Sequence, residues 1–331
     1  MYKVMVLTKK FSEFSREPFQ VMKQAGLEVV EKDYDRASPA QEDELCQAIQ
    51  GADAIIVTAM FPATRKFIMS ADRLKMIAIR SAGFEGSDLK AATEKGVVVT
   101  NNPGANAESV ADMAIGLMLS VSKQITQKDR EMRKGLYPRG SGSEDLFRKT
   151  VGIIGLGNIG KRVAKRLQGF EAKVIANDIA EYPDFQKQYN IPYFSKEELL
   201  QRADFVTLHV PLDPATRRMI NEERLRLMKK TAFLINTARG AIVDEKALYK
   251  ALKEGWIAGA GLDVFETEPP VFRDHILLDN VVSTPHSAGL SNQATHAMAM
   301  ETVKKVIILL EGRVPENVLN PEVLKKLRLS A

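Results

Sequence analysis

The sequence predicts an α/β protein of two units, each built from a parallel β-sheet that helices cover on both faces. The chain has 331 residues, more than one hydrophobic core usually organises, so two domains are expected. Short apolar runs alternate with helical patterns along most of the chain, which is typical of parallel sheets. A glycine-rich turn at 155–160 follows one apolar run and opens an amphipathic helix, and a second alternating series begins there.

Five strands are predicted in the first hundred residues, with helices between them. Residues 13–25 and 42–49 have helical periodicity, and a glycine follows each of these segments, as suits a helix end. A longer apolar helix is predicted over 106–123, and residues 133–149 are polar and glycine-rich, which indicates a loop. The predicted strands are 4–7, 27–30, 54–57, 76–79 and 97–99.

Six strands are predicted in the second series, and two helix starts are well marked. Ser195 and Glu198 are spaced as a capping box, and Asp244 is the expected N-cap of a helix over 245–252. The last helix is predicted over 292–310. The strands are 151–154, 173–176, 205–209, 233–236, 259–264 and 281–283.

Composition and charge argue against several classes of protein. The net charge is +5, but 42 acidic residues are interleaved with 47 basic ones. The densest basic cluster, within residues 161–166, is interpreted as a solvated helix face, so no nucleic-acid partner is expected. The single cysteine, Cys46, excludes an intrachain disulfide. With no signal-peptide pattern and no apolar run of about 20 residues, we expect a cytoplasmic protein without a membrane partner.

The glycine-rich turn predicts a dinucleotide site. Gly155 permits a tight turn, Gly157 lets a pyrophosphate approach the backbone, and Gly160 lets the helix pack closely on the strand. The helix that begins around Asn158 and Ile159 offers free N–H groups and a positive dipole end to the phosphates. The strand before the turn and the helix after it make this motif stronger than an isolated GxGxxG.

An acid after the next strand indicates which dinucleotide is bound. Asp178 follows the strand predicted over 173–176, where a carboxylate accepts hydrogen bonds from the ribose hydroxyls of NAD. Its charge repels the additional phosphate of NADP, and no arginine lies beside it in the sequence. The expected cofactor is therefore NAD.

Three polar residues after strands of the second series are candidates for chemistry at a carbonyl. Arg239 can bind a carboxylate with two parallel hydrogen bonds, although a surface ion pair is equally compatible with its position. His286 can exchange a proton or can be a structural donor. A carboxylate beside an imidazole raises the imidazole pKa, and both Glu266 and Glu268 are candidates for that place.

Five segments together resemble those of the D-isomer-specific 2-hydroxyacid dehydrogenases, over nearly the full length of the chain. They include the glycine loop, Asn-Thr-Ala-Arg-Gly at 236–240 and Thr-Pro-His-Ser-Ala-Gly at 284–289. The other two are 103–112 and 261–269. Found together in this order, the segments are highly specific.

The resemblance implies an enzyme that moves a hydride between NAD and a small 2-hydroxy acid or its keto acid. Arg239 would bind the substrate carboxylate and carbonyl. His286 would be the acid for reduction and the base for oxidation, and Glu268 would orient His286 and raise its pKa. Candidate substrates are glyoxylate, hydroxypyruvate, pyruvate and branched keto acids.

The remaining site residues are also implied by the resemblance. The turn formed by Ser81, Ala82 and Gly83 would offer N–H groups to the substrate carboxylate, and Asn106 would lie at the cleft between domains. Asp263 and Thr237 would hold the nicotinamide carboxamide, with Gly289 nearby. The residues that would border the adenosine are His209, Val210, Pro211 and Thr216.

The implied architecture is a Rossmann NAD-binding domain at 101–289 and a flavodoxin-like substrate domain formed by 1–100 and 290–331. The crossings near 100 and 289 would act as hinges, and a homodimer through the cofactor domain is expected. The turn at 81–86 departs from the family pattern, and the apolar loop 59–62 lacks the arginine of phosphoglycerate enzymes. A phosphorylated substrate is therefore disfavoured.

Two other functions are compatible with this sequence. A formate dehydrogenase-like enzyme would share the fold, but such enzymes place glutamine where Glu268 stands. An NAD-sensing binding protein, similar to transcriptional corepressors of this fold, would bind NADH without turnover. No histidine, cysteine or acid cluster has metal-ligand spacing, so no metal is expected.

Overall fold

The computed structural model describes residues 1–8, 11, 15–34, 39–140 and 142–327. The chain divides into two compact units, one formed by Met1–Asn106 with Leu290–Ala331 and the other by Ala107–Gly289. Among the described residues, each unit has one sheet, of five and six strands respectively, and every pair of neighbouring strands is parallel. The predicted α/β class with two parallel sheets is confirmed.

The N-terminal part of unit 1 alternates strictly between strands and helices. A glycine ends the helix Leu89–Lys95: Gly96 follows it in the left-handed conformation and turns the chain back. The predicted start of the first helix, Glu13, lies outside the described residues. The elements are β1 (Lys3–Val6), α1 (Glu17–Gln24), β2 (Glu28–Glu31), α2 (Glu42–Ala48), β3 (Ala54–Val57), α3 (Arg65–Ser70), β4 (Met76–Ile79), α4 (Leu89–Lys95) and β5 (Val98–Thr100).

The sheet of unit 1 has the strand order β2-β1-β3-β4-β5, which is the order of flavodoxin-like sheets. Every residue of β3 and β4 is buried, because helices pack on both faces. This double burial explains why the strands are continuous apolar runs without polar alternation.

Unit 2 begins with two helices and continues as a second alternating series. Helix α6 is absent from the sequence-based expectations, because it is polar and none of its residues is buried. Strand β10 ends two residues before the predicted boundary. The elements are α5 (Ala107–Ser122), α6 (Ile125–Arg133), β6 (Thr150–Ile154), α7 (Asn158–Leu167), β7 (Lys173–Asn177), α8 (Pro183–Tyr189), α9 (Lys196–Arg202), β8 (Phe205–Leu208), α10 (Glu222–Leu227), β9 (Phe233–Asn236), α11 (Glu245–Lys253), β10 (Gly259–Leu262) and β11 (Val281–Ser283).

The sheet of unit 2 has the order β7-β6-β8-β9-β10-β11. The direction of strand addition reverses at β6, whose two neighbours are β7 and β8. A crevice forms at such a reversal, outside the carboxyl ends of the strands, and α/β proteins bind ligands there. The glycine-rich turn follows β6 directly and therefore lies at this crevice.

Helix α12 (Asn292–Leu310) returns to unit 1 and is fixed there by a buried polar network. The Nζ atom of Lys305 donates to the backbone oxygen of Asn101 at 2.6 Å and to Oδ1 of Asn102 at 2.7 Å. The Asn102 amide in turn donates to Thr302 Oγ1 and to the Met298 backbone oxygen. Burial removes water from the ammonium group of Lys305 and thereby lowers its pKa. The hydrogen bonds of the network replace the lost hydration.

None of the helices in the described part of the chain is long and apolar enough to span a membrane.

The Lys305 network yields a stability prediction. Lys305→Met keeps the side-chain length but leaves the Asn101 and Asn102 oxygens without their donor. We expect the free energy of unfolding to fall by about 1–3 kcal/mol, the cost of unsatisfied buried polar groups. Lys304→Met is the matched control because Lys304 is exposed. Equal urea midpoints for the two variants would show that the network is unimportant.

Candidate active site

The glycine loop that follows β6 has the geometry of a phosphate cradle. Gly155 has φ +97°, and a Cβ there would lie 2.6 Å from the backbone oxygen of His209. A Cβ on Gly160 would collide with the Gly155 carbonyl, so helix α7 and the loop pack in direct contact. A Cβ on Gly157 would meet nothing within 4 Å. The space before Gly157, at the first turn of α7, fits a pyrophosphate.

Asp178 lies directly after β7 and also fixes the glycine loop. Its Oδ2 accepts from the Leu156 N–H at 2.6 Å, and its Oδ1 accepts from the Ala180 N–H at 3.0 Å. The carboxylate is partly exposed at the crevice. Beside it, burial and the Asp178 charge raise the pKa of Tyr193 to about 12, so the tyrosine stays neutral next to a carboxylate.

The segment after β8 forms the opposite side of the crevice. The Nε2 atom of His209 lies 2.9 Å from Thr207 Oγ1, and its buried Nδ1 has no hydrogen-bond partner among the described residues. Burial lowers the pKa of His209 to about 3, so this ring is neutral and is not an acid catalyst. Thr216 Oγ1 donates to the Pro211 backbone oxygen at 2.7 Å, which closes the turn after Val210.

Thr237, directly after β9, offers a further polar atom to a ligand. Its side chain is buried, and its Oγ1 has no hydrogen-bond partner in the described part of the chain. A buried hydroxyl without a partner is uncommon in native proteins and needs an explanation. Together with the open space at Gly157, it fits a bound dinucleotide that supplies the missing partner.

Asp263, the residue after β10, organises the turn that contains His286. The carboxylate is fully buried, and it accepts from Thr284 Oγ1 at 2.5 Å and from the Ser287 and Ala288 N–H groups at 2.9 Å each. The Asp263 backbone oxygen accepts from the His286 N–H at 2.7 Å. His286 thereby adopts φ +52°, a left-handed conformation that non-glycine residues rarely adopt.

His286 and Glu268 form a close pair at the carboxyl edge of the sheet. The Nδ1 atom of His286 lies 2.6 Å from Glu268 Oε2, and the other carboxylate oxygen accepts from the Phe265 N–H at 3.1 Å. Nδ1 is therefore engaged, and Nε2 is the ring nitrogen that can exchange a proton with a ligand. Glu266 does not take this place, because it pairs with Arg218 at 3.0 Å.

The electrostatics of the pair favour a charged imidazole. The hydrogen bond to Glu268 raises the pKa of His286, against the smaller opposing effects of burial and the Arg239 charge. Burial by itself raises the pKa of Glu268, but the hydrogen bond and charge of His286 outweigh it and lower that pKa overall. Both shifts favour the imidazolium–carboxylate form of the pair.

Arg239 is presented by the turn after β9. The Asn236 side chain braces this turn, because its Nδ2 donates to the Arg239 backbone oxygen and its Oδ1 accepts from the Ala238 N–H. A Cβ on the next residue, Gly240, would collide with the Phe265 backbone. The turn with Arg239 and the segment with Glu268 are therefore in direct contact, which only glycine allows.

The predicted substrate turn lies in unit 1, after β4. Asn101 Nδ2 donates to the Ala82 backbone oxygen at 2.6 Å, and the Ser81 backbone oxygen accepts from the Asn102 N–H at 2.9 Å. These bonds fix the turn through its oxygens and leave the N–H groups of Ala82 and Gly83 as potential donors. Asn106 is half-buried in the turn that ends this part of unit 1.

One surface expectation differs from the structure. The basic residues of α7 are not simply solvated, because Arg162 and Arg166 pair with Glu108 and Asp112 of α5, at 2.5 and 2.6 Å. His275, in the loop between β10 and β11, is fully buried against aromatic rings. In the described part of the chain, no group of three or more histidine, cysteine or acidic side chains could hold a metal ion.

A cavity of about 270 Å³ in unit 2 lies away from these residues. It is lined by Ser122, Lys230 and Asn280, among others, at the amino ends of β9 and β11. The carboxyl edge, where the glycine loop, Arg239 and His286 lie, is the edge that α/β sheets use for ligands. The cavity is therefore not the site of the chemistry.

Comparison with known proteins assigns the chain to a family. Residues 115–288 match the NAD binding domain of the D-isomer specific 2-hydroxyacid dehydrogenases. A glyoxylate reductase of Korarchaeum cryptofilum is 40% identical over 294 residues, which cover 87% of this chain and 89% of that protein. A D-3-phosphoglycerate dehydrogenase of Methanocaldococcus jannaschii is 40% identical over 300 residues, which cover 86% of this chain and 55% of that protein. The structure of D-lactate dehydrogenase from Aquifex aeolicus complexed with NAD and lactic acid has a TM-score of 0.78, 32% identity and 98% coverage of both chains.

The chain therefore belongs to the D-isomer specific 2-hydroxyacid dehydrogenase family. It is an NAD-dependent oxidoreductase that acts on the CH–OH group of 2-hydroxy acids, and its cofactor is NAD. The family, the enzyme class and the cofactor expected from the sequence are thereby confirmed.

The pair of His286 and Glu268 yields a pH prediction. If His286 is the acid that protonates the keto acid, kcat/KM for reduction falls as pH rises through its raised pKa. Glu268→Gln removes the carboxylate whose hydrogen bond and charge raise this pKa, and the fall moves to lower pH. Glu266→Gln is the matched control, since Glu266 pairs with Arg218. An identical pH profile for both variants would contradict the role of Glu268.

The position of Asp178 yields a prediction on cofactor choice. We expect Asp178→Ala to remove the repulsion of a 2′-phosphate and to lower the preference for NADH over NADPH in kcat/KM by about tenfold or more, since close like charges at a protein surface repel by a few kcal/mol. Glu181→Ala, on the same exposed loop, is the control. Unchanged discrimination in the Asp178 variant would reject Asp178 as the ribose-binding acid.

Proposed function

We propose that the protein reduces small, unphosphorylated 2-keto acids with NADH, glyoxylate and hydroxypyruvate first among them. The observation that supports this most directly is the 2.6 Å contact between His286 Nδ1 and Glu268 Oε2. It raises the pKa of the imidazole and so favours the protonated ring, whose proton keto-acid reduction consumes. Bound NADH supplies the hydride to the carbonyl carbon.

Three residues of unit 2 have the other proposed roles in the reaction. Arg239 binds the substrate carboxylate and polarises the carbonyl with its guanidinium. His286 gives the proton from Nε2 to the carbonyl oxygen, which becomes the hydroxyl, and takes a proton from the hydroxyl in the opposite direction. Glu268 stabilises the imidazolium and fixes the ring through Nδ1. These roles are proposals that rest on the geometry and on family membership.

The remaining contacts are proposed on the same basis. The N–H groups of the turn Ser81–Gly83 and the side chain of Asn106 contact the substrate. Gly155, Gly157, Asn158, Ile159 and Gly160 hold the pyrophosphate, and Asp178 binds the ribose. The adenosine and nicotinamide contacts come from His209, Val210, Pro211, Thr216, Thr237, Asp263 and Gly289.

The preference for an unphosphorylated substrate is supported by two loops of unit 1. The loop 59–62 is apolar, and Met60 is 72% exposed. It adjoins the loop that contains Phe84, because the Gly86 N–H donates to the Ala59 backbone oxygen at 2.7 Å. Exposed apolar side chains on these adjoining loops suit a small carbon chain better than a phosphate. The glyoxylate reductase named above, similar over most of its length, agrees with this choice.

The two alternative functions differ from the reductase in what they require of His286 and Glu268. Formate oxidation releases carbon dioxide and needs no proton donor at a carbonyl oxygen, so an imidazolium held by Glu268 has no use there. A sensor of NADH would bind the dinucleotide without turnover. The pairing of His286 with Glu268 therefore favours the reductase over formate oxidation. NAD-sensing proteins of this fold keep the same residues, so turnover on a keto acid is what separates the reductase from the sensor.

We also propose that the protein acts as a homodimer in the cytoplasm. Helix α6 and the segment after it expose Ile125, Met132, Leu136 and Tyr137 at fractions of 50 to 74%. Apolar side chains concentrated in one exposed segment are typical of an association surface. The single free cysteine, Cys46, is compatible with a reducing compartment, and neither a nucleic-acid nor a membrane partner is proposed.

The decisive assay measures NADH oxidation with a panel of 2-keto acids. We expect turnover with glyoxylate or hydroxypyruvate, less with 3-phosphohydroxypyruvate, and none with formate and NAD. His286→Gln lowers turnover by about 10²–10⁴-fold, the range of general acid catalysis, and leaves the Kd for NADH unchanged. Tight NADH binding without turnover on any keto acid would instead support the sensor.

The dimer surface yields a second prediction. Leu136→Asp with Tyr137→Asp places two charges in the exposed segment and shifts the mass measured by light scattering from dimer to monomer, because charges in an apolar interface are unfavourable. Val314→Asp, at an exposed apolar residue elsewhere, is the control and stays dimeric. A wild-type protein that is monomeric at every concentration would reject the proposal.

A further inference from the structure

His275 is a buried histidine that the proposed mechanism does not use. It follows the Glu268 segment in the chain and is fully buried. Neither ring nitrogen has a hydrogen-bond partner among the described residues. A polar ring without hydrogen bonds is costly to bury, so its aromatic contacts have to account for its position.

Two phenylalanines form a slot around the His275 ring. The ring stacks on Phe272 at 5.3 Å between centroids with an interplanar angle of 21°, and it lies 6.1 Å from Phe265 at a tilt of 47°. On the other side, Phe272 packs edge-on against Tyr249 of α11 at 5.9 Å. The imidazole therefore acts as a flat neutral ring that fills the space between the Glu268 segment and the loop after it.

Phe265 connects this slot to the proton-donating pair. Its backbone N–H donates to Glu268 Oε1 at 3.1 Å, and Glu268 Oε2 contacts His286 at 2.6 Å. The Phe265 backbone also lies directly against Gly240, the residue after Arg239. A shift of Phe265 would therefore alter the support of Glu268 and the placement of Arg239 at the same time.

We propose that His275 is a positioning residue: its neutral ring supports Phe265, whose backbone N–H holds Glu268 against His286. The inference rests on the proposed role of His286 in catalysis. A protonated His275 ring would be displaced from the slot, so the arrangement holds only while His275 is neutral.

The charges around His275 are compatible with a neutral ring. Burial lowers the pKa of His275, and the neighbouring Asp274 opposes this less strongly. From α11, Tyr249 faces Phe272 and Glu245 accepts from the Glu266 N–H at 2.6 Å. Because the unfolded chain binds a proton near pH 6.5 and the folded one does not, this histidine contributes stability above that pH and loses it as pH falls.

Direct titration of the histidines by NMR tests the proposal on the full-length protein. The chain has four histidines, so labelling of the imidazole carbon gives four signals that single variants assign. In the wild type, His286 titrates above 6.5 and His275 does not titrate around neutral pH. In His275→Ala, we expect the midpoint of His286 to fall by about 1 pH unit, since a paired opposite charge accounts for shifts of that size.

His275→Phe is the matched variant, because it keeps a flat ring and removes the titration. It should retain the raised midpoint of His286, keep kcat/KM within about twofold, and lose the acid-side fall in urea midpoint below pH 6.5. His275→Ala should lower kcat/KM for a keto acid by about tenfold with unchanged NADH affinity, since small misplacements of catalytic groups have effects of that order. If the alanine variant does not fold, Phe272→Leu removes the other wall of the slot and should give the same shift.

Two results would overturn the proposal. One is an alanine variant that is less stable but has an unchanged His286 titration, because the role would then be structural only. The other is a phenylalanine variant that loses the raised midpoint. Failure of the proposed function gives a different result: His286→Gln would retain keto-acid turnover whatever the His275 variants do to the titration.

Discussion

The buried carboxylate of Asp263 is the constraint on which the rest of the site depends. The carboxylate accepts three hydrogen bonds from the turn 284–288, and the backbone oxygen of Asp263 accepts a fourth from His286. A buried carboxylate without partners is strongly unfavourable, so the turn is fixed by the need to satisfy this charge. His286 keeps its left-handed backbone for that reason, and its ring meets Glu268. The acid to which the family resemblance gives a nicotinamide contact thus also shapes the turn that contains His286.

Close backbone packing supplies the second constraint. Gly160 lets helix α7 contact the Gly155 carbonyl, and Gly240 lets the Arg239 turn contact the Phe265 backbone. Both contacts lie at the carboxyl edge of one parallel sheet, where the strand order reverses at β6. The cofactor groove and the charged residues are held by neighbouring strand ends, and this common support aligns the place of the cofactor, the proposed hydride donor, with that of His286, the proposed proton donor.

Much of this arrangement was predictable from the sequence, because its signals are local. Strand-helix alternation predicts both parallel sheets, and the glycine spacing predicts the loop after β6. The sequence alone did not decide between Glu266 and Glu268, since two acids two residues apart differ only in which one the turn directs to His286. Helix α6 was missed because it has no buried face, and the burial of His275 was missed because contacts with Phe265 and Phe272 are tertiary.

The Lys305 network has a consequence for biosynthesis. Its hydrogen bond to Asn102 joins residues 203 positions apart, and all of unit 2 lies between them in the chain. A ribosome that makes the protein from its N-terminus releases the complete sequence of unit 2 before helix α12 exists. While the inserted unit is synthesised, the larger part of unit 1 lacks α12, and the face that α12 later covers stays exposed. Nascent chains of this enzyme therefore expose apolar surface for the time that translation needs to pass Leu310.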